Sequence, residues 1–364
     1  MCEDTEKLSG DPVSGQEDAQ DAGRHCAWLA PLILYLILPV CGIICCTLLF
    51  RHALPMQPPD PVKYTVFLPQ PAVSAGPAAF RAEATTVSTA KPVPVRLGEV
   101  YETMSDAAEL DLSGINVCGL DMDSFLNALP MLSRIVMHGC GLDNDGYAAL
   151  QDAHPDVKIV WDIDIQSYTV STDAVGFSTL LANEKQPRLT NDDAKYLKYC
   201  TEMVALDLGH NHISDLSFLQ YMPRLRVLIL ADNCTKDGSV LLSDISPLKY
   251  VPHLRYLELF ANNISDFSVL SELTELEDLN ICYNPFSTTK DLKNLPSLQR
   301  LWVYANYVPQ EELAALQSVY PDAVVVISGE GSIDQGWRDS PHYYAMRNMV
   351  INNVIDDLYR DELS

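Results

Sequence analysis

Two short stretches of the sequence carry residue types that bind metal ions. The sequence His-Asn-His at 210–212 offers two imidazoles, but they fall on either side of a predicted bend and should diverge. Segment 141–152, GLDNDGYAALQD, resembles a calcium-binding loop at Asp143 and Asp145. Its first ligand position holds glycine, and its last holds Asp152 rather than a bidentate glutamate. We therefore predict a helix-capping turn there, and no metal or other cofactor.

Nucleophilic chemistry has equally little support in the sequence. The chain contains 10 cysteines. Those that follow residue 100 are odd in number and lack a C-x-x-C spacing, so they signal neither a disulfide framework nor a zinc site. We expect buried free thiols, with Cys200 filling the core. The sequence also has no nucleophile elbow, no phosphate-binding loop and no H-E-x-x-H motif, and an enzyme is not expected.

Charge and hydropathy indicate which partners the chain can bind and which segment could cross a membrane. A net charge of −25 and a pI near 4.5 argue against nucleic-acid binding, because clustered lysine and arginine neutralise phosphates. Residues 27–50 contain no charged side chain, and a helix of this length crosses a hydrocarbon core of about 30 Å. We predict an uncleaved transmembrane signal anchor there, after a cytoplasmic tail at 1–26. Proline-rich residues 51–95 are predicted to form an extended linker.

An internal repeat occupies much of the second half of the chain. Five segments align as L-x-L-x-x-N or a close variant, at spacings of 22, 29, 22 and 22 residues. Their final residues are Asn211, Asn233, Asn262, Asn284 and Asn306. Strand alternation points the two apolar residues of each segment into the core and the intervening residues outward. Each asparagine amide both donates and accepts, so we expect a structural ladder that satisfies backbone groups where the chain leaves the sheet. In the pair Asn262-Asn263, the first residue belongs to this ladder.

The repeat pattern resembles the leucine-rich repeat family, and the ISD sequence after the asparagines is similar to its bacterial internalin-like subclass. The resemblance covers about residues 200–327. It implies an α/β solenoid with a curved parallel sheet and a short helical convex side. Segment 148–160 matches 314–326 almost residue for residue, so we predict two related modules, at 96–165 and 166–327. Tandem modules of this kind resemble surface proteins of Gram-positive gut bacteria.

The outward strand positions should form a concave face that is able to bind a ligand. The later repeats place aromatic side chains on adjacent strands, about 4.8 Å apart. Aromatic rings clustered in this way form the centre of a protein interface or stack on a sugar. The predicted ligand-binding residues are Phe260, Tyr283, Trp302, Tyr304, Glu258 and Asp232. The alternative is that the C-terminal segment folds back over them.

Residues 328–364 end the chain with apolar side chains at helical spacing, and we predict that they form an end cap for the open solenoid. The sequence thus predicts a membrane-anchored recognition or adhesion module whose concave face binds a protein or a glycan. The alternative is a structural envelope protein that spaces or tethers other components. Arg24 and Arg51 flank the predicted span symmetrically, so the expectation that the repeats are extracytoplasmic rests on the domain architecture.

Overall fold

The computed structural model describes residues 91–179, 187–233, 242–331 and 334–363. The predicted cytoplasmic tail, the predicted span at 27–50 and nearly all of the predicted linker lie outside these residues. Among the residues that the structure describes, no helix combines the length and the apolar character needed to cross a membrane. All of them belong to one structural unit, Thr86–Ser364.

The first module is a small parallel sheet preceded by a hairpin. The hairpin pairs β1 (Pro94–Leu97) with β2 (Tyr101–Met104), and the parallel strands are β3 (Glu109–Asp111), β4 (Arg134–Val136) and β5 (Lys158–Val160). The connecting helices are α1 (Met122–Asn127) and α2 (Asn144–Ala153). Leu110, Ile135 and Ile159 lie in register at the strand centres and are buried. These three side chains fix the face of the sheet that packs into the core.

A second hairpin separates this sheet from a larger one, and it pairs β6 (Asp162–Ile165) with β7 (Tyr168–Ser171). The larger sheet has seven strands in the spatial order β14 to β8. They are β8 (Gly176–Ser178), β9 (Ala205–Asp207), β10 (Val227–Ile229), β11 (Tyr256–Glu258), β12 (Asp278–Asn280), β13 (Arg300–Trp302) and β14 (Val324–Val326). All neighbouring strands pair in parallel, so each repeat adds one strand to the edge left by the repeat before it.

The interior of the larger sheet follows the leucine register. The central residues of five neighbouring strands are paired and fully buried: Leu206, Leu228, Leu257, Leu279 and Leu301. The opposite wall of the core consists of α3 (Asn191–Ala194), α4 (Gln310–Val319) and 3-10 helices at Lys195–Tyr199, Ser217–Tyr221, Ser246–Tyr250, Ser268–Glu272 and Lys290–Leu292. Asp215, Asp244 and Asp266 accept hydrogen bonds from the backbone two residues later, which starts three of these turns.

The C-terminal segment, residues 334–363, consists of a 3-10 helix (Asp334–Asp339), α5 (Pro341–Asn352) and α6 (Asp357–Leu363). The backbone of Asn353 is left-handed, with φ of +50°, and this residue ends α5. Helix α5 contacts β8, β9 and β10. The segment therefore covers the outward face of the sheet, as in the alternative given for the aromatic residues, rather than capping the end of the solenoid as first predicted. The difference arises because the sheet face is itself apolar.

Candidate ligand-binding face

The strand residues beside each buried leucine face away from the solenoid core, as alternation requires. In β11, Leu257 packs into the core, whereas Tyr256 belongs to a second apolar cluster on the other side of the sheet. The C-terminal segment completes this cluster, whose largest members are Tyr256, Trp302, Tyr304, Trp337 and Tyr359. The outward face is thus an apolar interface within the protein.

The predicted aromatic platform lies largely beneath this segment. Trp302 is 1 % exposed, Tyr304 is 3 % exposed and Glu258 is fully buried. Trp337 packs against Trp302 and Tyr256, with ring centroids 5.2 and 4.7 Å apart. Contrary to the sequence-based expectation, Trp302, Tyr304 and Glu258 do not face solvent. The physical reason is that the ring of Trp302 gains more by burial against Trp337 than by contact with water. Tyr304 is covered instead by the loop before the C-terminal segment, where its hydroxyl donates to the carbonyl of Gly331.

Glu258 is the centre of a buried polar network on this face. Its carboxylate accepts hydrogen bonds from the Trp337 indole at 2.8 Å and from the Tyr256 hydroxyl at 3.2 Å. The Arg338 guanidinium approaches both carboxylate oxygens, at 2.9 and 3.2 Å. A buried carboxylate needs this many partners because burial removes its hydration. The buried carboxylate of Glu258 therefore fixes the positions of Trp337 and Arg338 on the sheet.

A second buried carboxylate, Asp207, lies on the neighbouring part of the face. It accepts hydrogen bonds from the Ser178 hydroxyl and the Gly209 amide, each at 3.1 Å. Burial raises the pKa of Asp207 to about 6, against the opposing effect of Arg338. Within the described part of the chain Arg338 forms its ion pair with Glu258 rather than with Asp207, so the charge of Asp207 is less well compensated.

A third polar network holds the two C-terminal helices to the residues that directly precede β11 and β12. His342 contacts the Tyr359 hydroxyl at 2.6 Å and the Glu277 carboxylate at 3.3 Å. Arg255 bridges Glu277 and Glu362, each at 2.8 Å. Helices α5 and α6 are therefore tied to each other and to the repeats through the same acidic residue.

The far end of α5 reaches the first strand of the large sheet. The Asn353 side chain accepts a hydrogen bond of 2.9 Å from the backbone of Val175. Gly176 makes this approach possible, because a β-carbon there would lie 2.7 Å from the backbone nitrogen of Val350. The C-terminal segment thus crosses the concave face from β13, where Arg300 contacts Trp337, to β8.

One margin of the face remains open. Tyr283 is 38 % exposed and Phe260 is half-buried, and their ring centroids lie 5.0 Å apart. Further along the same margin, the His210 ring is hydrogen-bonded to the Asp232 carboxylate at 2.9 Å. We call this surface, Phe260, Tyr283, His210 and Asp232, the open rim. It retains three of the six predicted ligand-binding residues: Phe260, Tyr283 and Asp232.

The open rim lies where the backbone turns out of the sheet. His210, Asp232, Ala261, Tyr283 and Ala305 all have left-handed backbones, with φ between +51° and +60°. Each precedes an asparagine of the predicted ladder. A left-handed conformation costs free energy in residues other than glycine, so it must be fixed by the asparagine that comes next.

The asparagines do this by bridging successive repeats. The Asn262 amide donates to the carbonyls of Leu230 and Leu259, at 2.9 and 3.0 Å, and its oxygen accepts from the backbone of Asn233 at 3.1 Å. The same pattern recurs at Asn233 and Asn284. Asn211 donates to the Thr179 hydroxyl in place of an earlier carbonyl, and Asn306 bonds within its own turn. Asn263 is exposed.

Strand register and asparagine bridges together identify the architecture. The chain has a leucine-rich repeat fold. No protein-family model matches the sequence, and no curated protein matches it. The leucine-rich repeat protein is similar to the solved structure of internalin C2 of Listeria monocytogenes, at 22 % identity over 41 % of this chain and 73 % of that one, with a TM-score of 0.30.

Two further solved structures have comparable similarity to this leucine-rich repeat protein. Internalin F of Listeria monocytogenes is 17 % identical over 58 % of this chain and 67 % of that one, with a TM-score of 0.31. A leucine-rich repeat protein of Leptospira interrogans is 18 % identical over 57 % of this chain and 46 % of that one, with a TM-score of 0.30.

The candidate metal-binding stretches have structural partners in the leucine-rich repeat protein. Asp143 caps α2 by accepting a hydrogen bond of 2.8 Å from Gly146, as in the helix-capping turn predicted for this segment. His210 pairs with Asp232 on the exposed rim, whereas His212 is half-buried in the next turn. Within the described ranges, no group of three histidine, cysteine or acidic side chains is arranged to hold a metal ion.

The buried cysteines are poor nucleophiles. Cys200 lies in the core, and burial raises the pKa of its thiol to about 12. Burial also raises the pKa of Cys282, which belongs to the buried cluster that the C-terminal segment completes on the concave face. Because the thiolate is the reactive form of cysteine, neither residue is suited to catalysis at neutral pH.

Sequence reasoning missed Trp337 and Arg338, the residues that organise the covered face. A signal for them was present at the outward strand positions, which include Glu258 and Asp278 among aromatic and aliphatic residues. A carboxylate in an apolar outward position requires a cation or an indole donor from another segment if it is buried. The C-terminal segment supplies both types of donor in adjacent residues.

Proposed function

We propose that this leucine-rich repeat protein is a membrane-anchored, extracytoplasmic recognition module of the adhesion type, and that it binds a protein partner through the open rim. The predicted span at 27–50 would anchor it, and the proline-rich linker would hold the repeats away from the membrane. The ligand-binding site proposed here is smaller than the one predicted from the sequence, because it includes only the open rim, the part of the concave face that is exposed to solvent.

The observation that carries the proposal is the aromatic pair Phe260–Tyr283 at the margin of a covered sheet. Exposed tyrosine is enriched at the centres of protein interfaces, where charged residues form the surrounding rim. The hydrogen-bonded pair of His210 and Asp232 supplies polar and acidic groups on adjacent repeats. Together they present one aromatic contact flanked by polar groups, which fits a protein surface better than an aliphatic ligand.

The covered floor of the face is not proposed as the contact surface. A partner that displaced the C-terminal segment would have to separate Glu258 from Trp337 and Arg338. Removing the partners of a buried charge typically costs about 3–5 kcal/mol, which would be subtracted from the binding free energy. The open rim requires no such opening.

The experiment compares capture by the wild type with capture by two tyrosine variants. Full-length protein in detergent micelles is immobilised and exposed to envelope and host-cell extracts, and any captured protein is purified for affinity measurement. Tyr283→Ala should weaken binding by about tenfold or more, as truncation of an interface hot spot does. Tyr250→Ala is the matched control, because Tyr250 is 46 % exposed on a convex 3-10 helix.

The outcomes separate the candidate functions. If Tyr283→Ala and Tyr250→Ala weaken binding equally, or if neither weakens it, the proposed contact surface is contradicted. Binding of wild-type protein to a glycan array, with no protein captured, would contradict the proposed partner class. The covered floor of the concave face also favours the structural alternative, an envelope spacer or tether. If the wild-type protein captures no partner, that alternative is supported instead.

A further inference from the structure

The two modules end with the same structural unit. Residues 148–160 and 314–326 both comprise a helix, a proline turn and a strand. In the first module Gln151 donates to the carbonyls of His154 and Val157, and in the second Gln317 donates to Tyr320 and Ala323 at matched positions. The shared side-chain bridge shows that the match extends from sequence to three-dimensional structure.

In the first module, the outer edge of this unit is covered by the next part of the chain. Trp161, directly after β5, is fully buried, and its ring lies 5.0 Å from that of Tyr199. The Lys158 ammonium group donates to the carbonyls of Thr172 and Tyr199 and to the Thr201 hydroxyl, at 2.9–3.2 Å. The covering residues are Thr172, directly after hairpin β6–β7, and Tyr199 and Thr201 in the first turn of the next module.

In the second module, the matched edge is open to solvent. Val324 stands where the first module has Lys158, and it is 54 % exposed. Ile327, the counterpart of the fully buried Trp161, is half-buried, and Val319 on α4 is also exposed. Three aliphatic side chains on and beside β14, the end strand of the sheet, therefore reach solvent, and an exposed strand edge with apolar neighbours promotes pairing with another chain.

The opposite end of the protein carries a hairpin in the equivalent place. Hairpin β1–β2 precedes the first module as hairpin β6–β7 precedes the second, and both pair antiparallel strands of four residues. Three apolar side chains are exposed on β1–β2: Val93 just before β1, Val100 in the turn and Met104 at the end of β2, beside the exposed cross-strand ion pair of Arg96 with Glu102. The first hairpin and the last strand thus each carry exposed apolar side chains.

We propose that copies of this protein associate head to tail, with hairpin β1–β2 of one copy packed against β14 of the next. The junction between the two modules within one chain is the template, because there the chain leaving a hairpin of the same kind, at Thr172, covers an edge of the same kind. The contact is heterologous, since it joins two different surfaces, and it leaves one free surface at each end of a pair. The contact between copies would thus repeat, from one chain to the next, the interface that joins the two modules within one chain.

The test uses variants that block one end each, in full-length protein in detergent micelles. Val324→Asp blocks the strand end, and the double variant Val100→Asp with Met104→Asp blocks the hairpin end. Each should weaken self-association by at least about tenfold, measured by light scattering after size exclusion, because an aspartate in an apolar contact loses its hydration. Ile351→Asp is the matched control, since Ile351 is an exposed aliphatic residue on α5.

Mixing the two blocked proteins makes the test decisive. Each alone should be monomeric, whereas the mixture should form dimers and nothing larger, because one functional surface remains on each partner. Circular dichroism and thermal melts establish that the variants are folded. A monomeric wild type, self-association that persists in Val324→Asp, or a mixture that stays monomeric would each overturn the proposal. Association lost in Ile351→Asp would assign the contact to the C-terminal segment instead.

Discussion

The indole nitrogen of Trp337 donates a hydrogen bond of 2.8 Å to the carboxylate of Glu258, which lies 79 residues earlier in the chain. Both side chains are fully buried. This contact joins the C-terminal segment to the middle of the repeat sheet and replaces the water that would otherwise hydrate a charge on the concave face. It turns a surface expected to receive a ligand into part of the folded core.

Trp337→Ala should therefore reduce the free energy of unfolding by about 3–5 kcal/mol, because it leaves a cavity over Trp302 and removes a donor from Glu258. The matched control is Tyr344→Ala on the outer side of α5, where Tyr344 is exposed. That substitution should change stability by less than about 0.5 kcal/mol. Urea denaturation of the two variants beside the wild type makes the comparison, and similar losses in both would contradict the packing described.

The asparagine bridges lead to a second stability prediction. Asn262→Ala should cost roughly 1–3 kcal/mol, because it leaves the buried carbonyls of Leu230 and Leu259 and the Asn233 amide without this partner. The exposed neighbour is the control, and Asn263→Ala should cost less than about 0.5 kcal/mol. Chemical denaturation measures both, and equal losses would contradict the register.

The pKa of Asp207 predicts a dependence of stability on pH. Because the folded-state pKa, about 6, lies above the ordinary value of 3.8, the folded state binds the proton more tightly. The contribution of this group is fully present below pH 4 and is lost as the pH rises through 6. Asp207→Asn removes the ionisation, so its stability relative to the wild type should rise by roughly 1–3 kcal/mol between pH 4 and pH 7.

Unfolding of both proteins at pH 4 and pH 7 isolates this effect, since other titrating groups are common to the two. Ser178→Ala serves as the control for loss of the hydrogen bond between Ser178 and Asp207, because it retains the carboxyl group. A difference between Asp207→Asn and the wild type that is the same at both pH values would contradict the raised pKa.

The repeat register could be predicted from sequence because its causes are local. Every repeat needs core-facing apolar residues at alternate strand positions and an asparagine where the chain leaves the sheet. The positions of Leu257 and Asn262 can therefore be predicted from the spacing of the repeats. The position of the C-terminal segment could not be predicted in the same way. Helical spacing indicates that α5 has an apolar face, but it does not indicate which surface that face covers.

The same limit explains the error about the aromatic platform. Strand alternation correctly directs Trp302 and Tyr304 away from the solenoid core, yet a distant segment buries both outward positions. The pairing of Arg338 with Glu258 spans 80 residues and has no local signature. The predicted membrane span lies outside the described residues and remains a prediction.

The proposed orientation predicts the outcome of limited proteolysis. If the repeats are extracytoplasmic, protease added to intact, wall-stripped cells should digest them and leave the 26 N-terminal residues protected, because the membrane excludes the enzyme. Epitope tags at the two ends, detected by immunoblotting, report the result. Loss of the N-terminal tag alone would show the opposite orientation, and lysed cells control for intrinsic resistance of the repeats.

The most direct test of the closed concave face is the reactivity of Cys282. This thiol belongs to the buried cluster that the C-terminal segment completes on the concave face, Cys118 is exposed, and Cys200 lies in the solenoid core. In full-length protein treated with a maleimide and mapped by mass spectrometry, Cys118 should be labelled rapidly, whereas Cys282 and Cys200 should be protected. Deleting residues 334–364 should make Cys282 reactive and leave Cys200 protected. Labelling of Cys282 in the intact protein as fast as that of Cys118 would contradict the closed face.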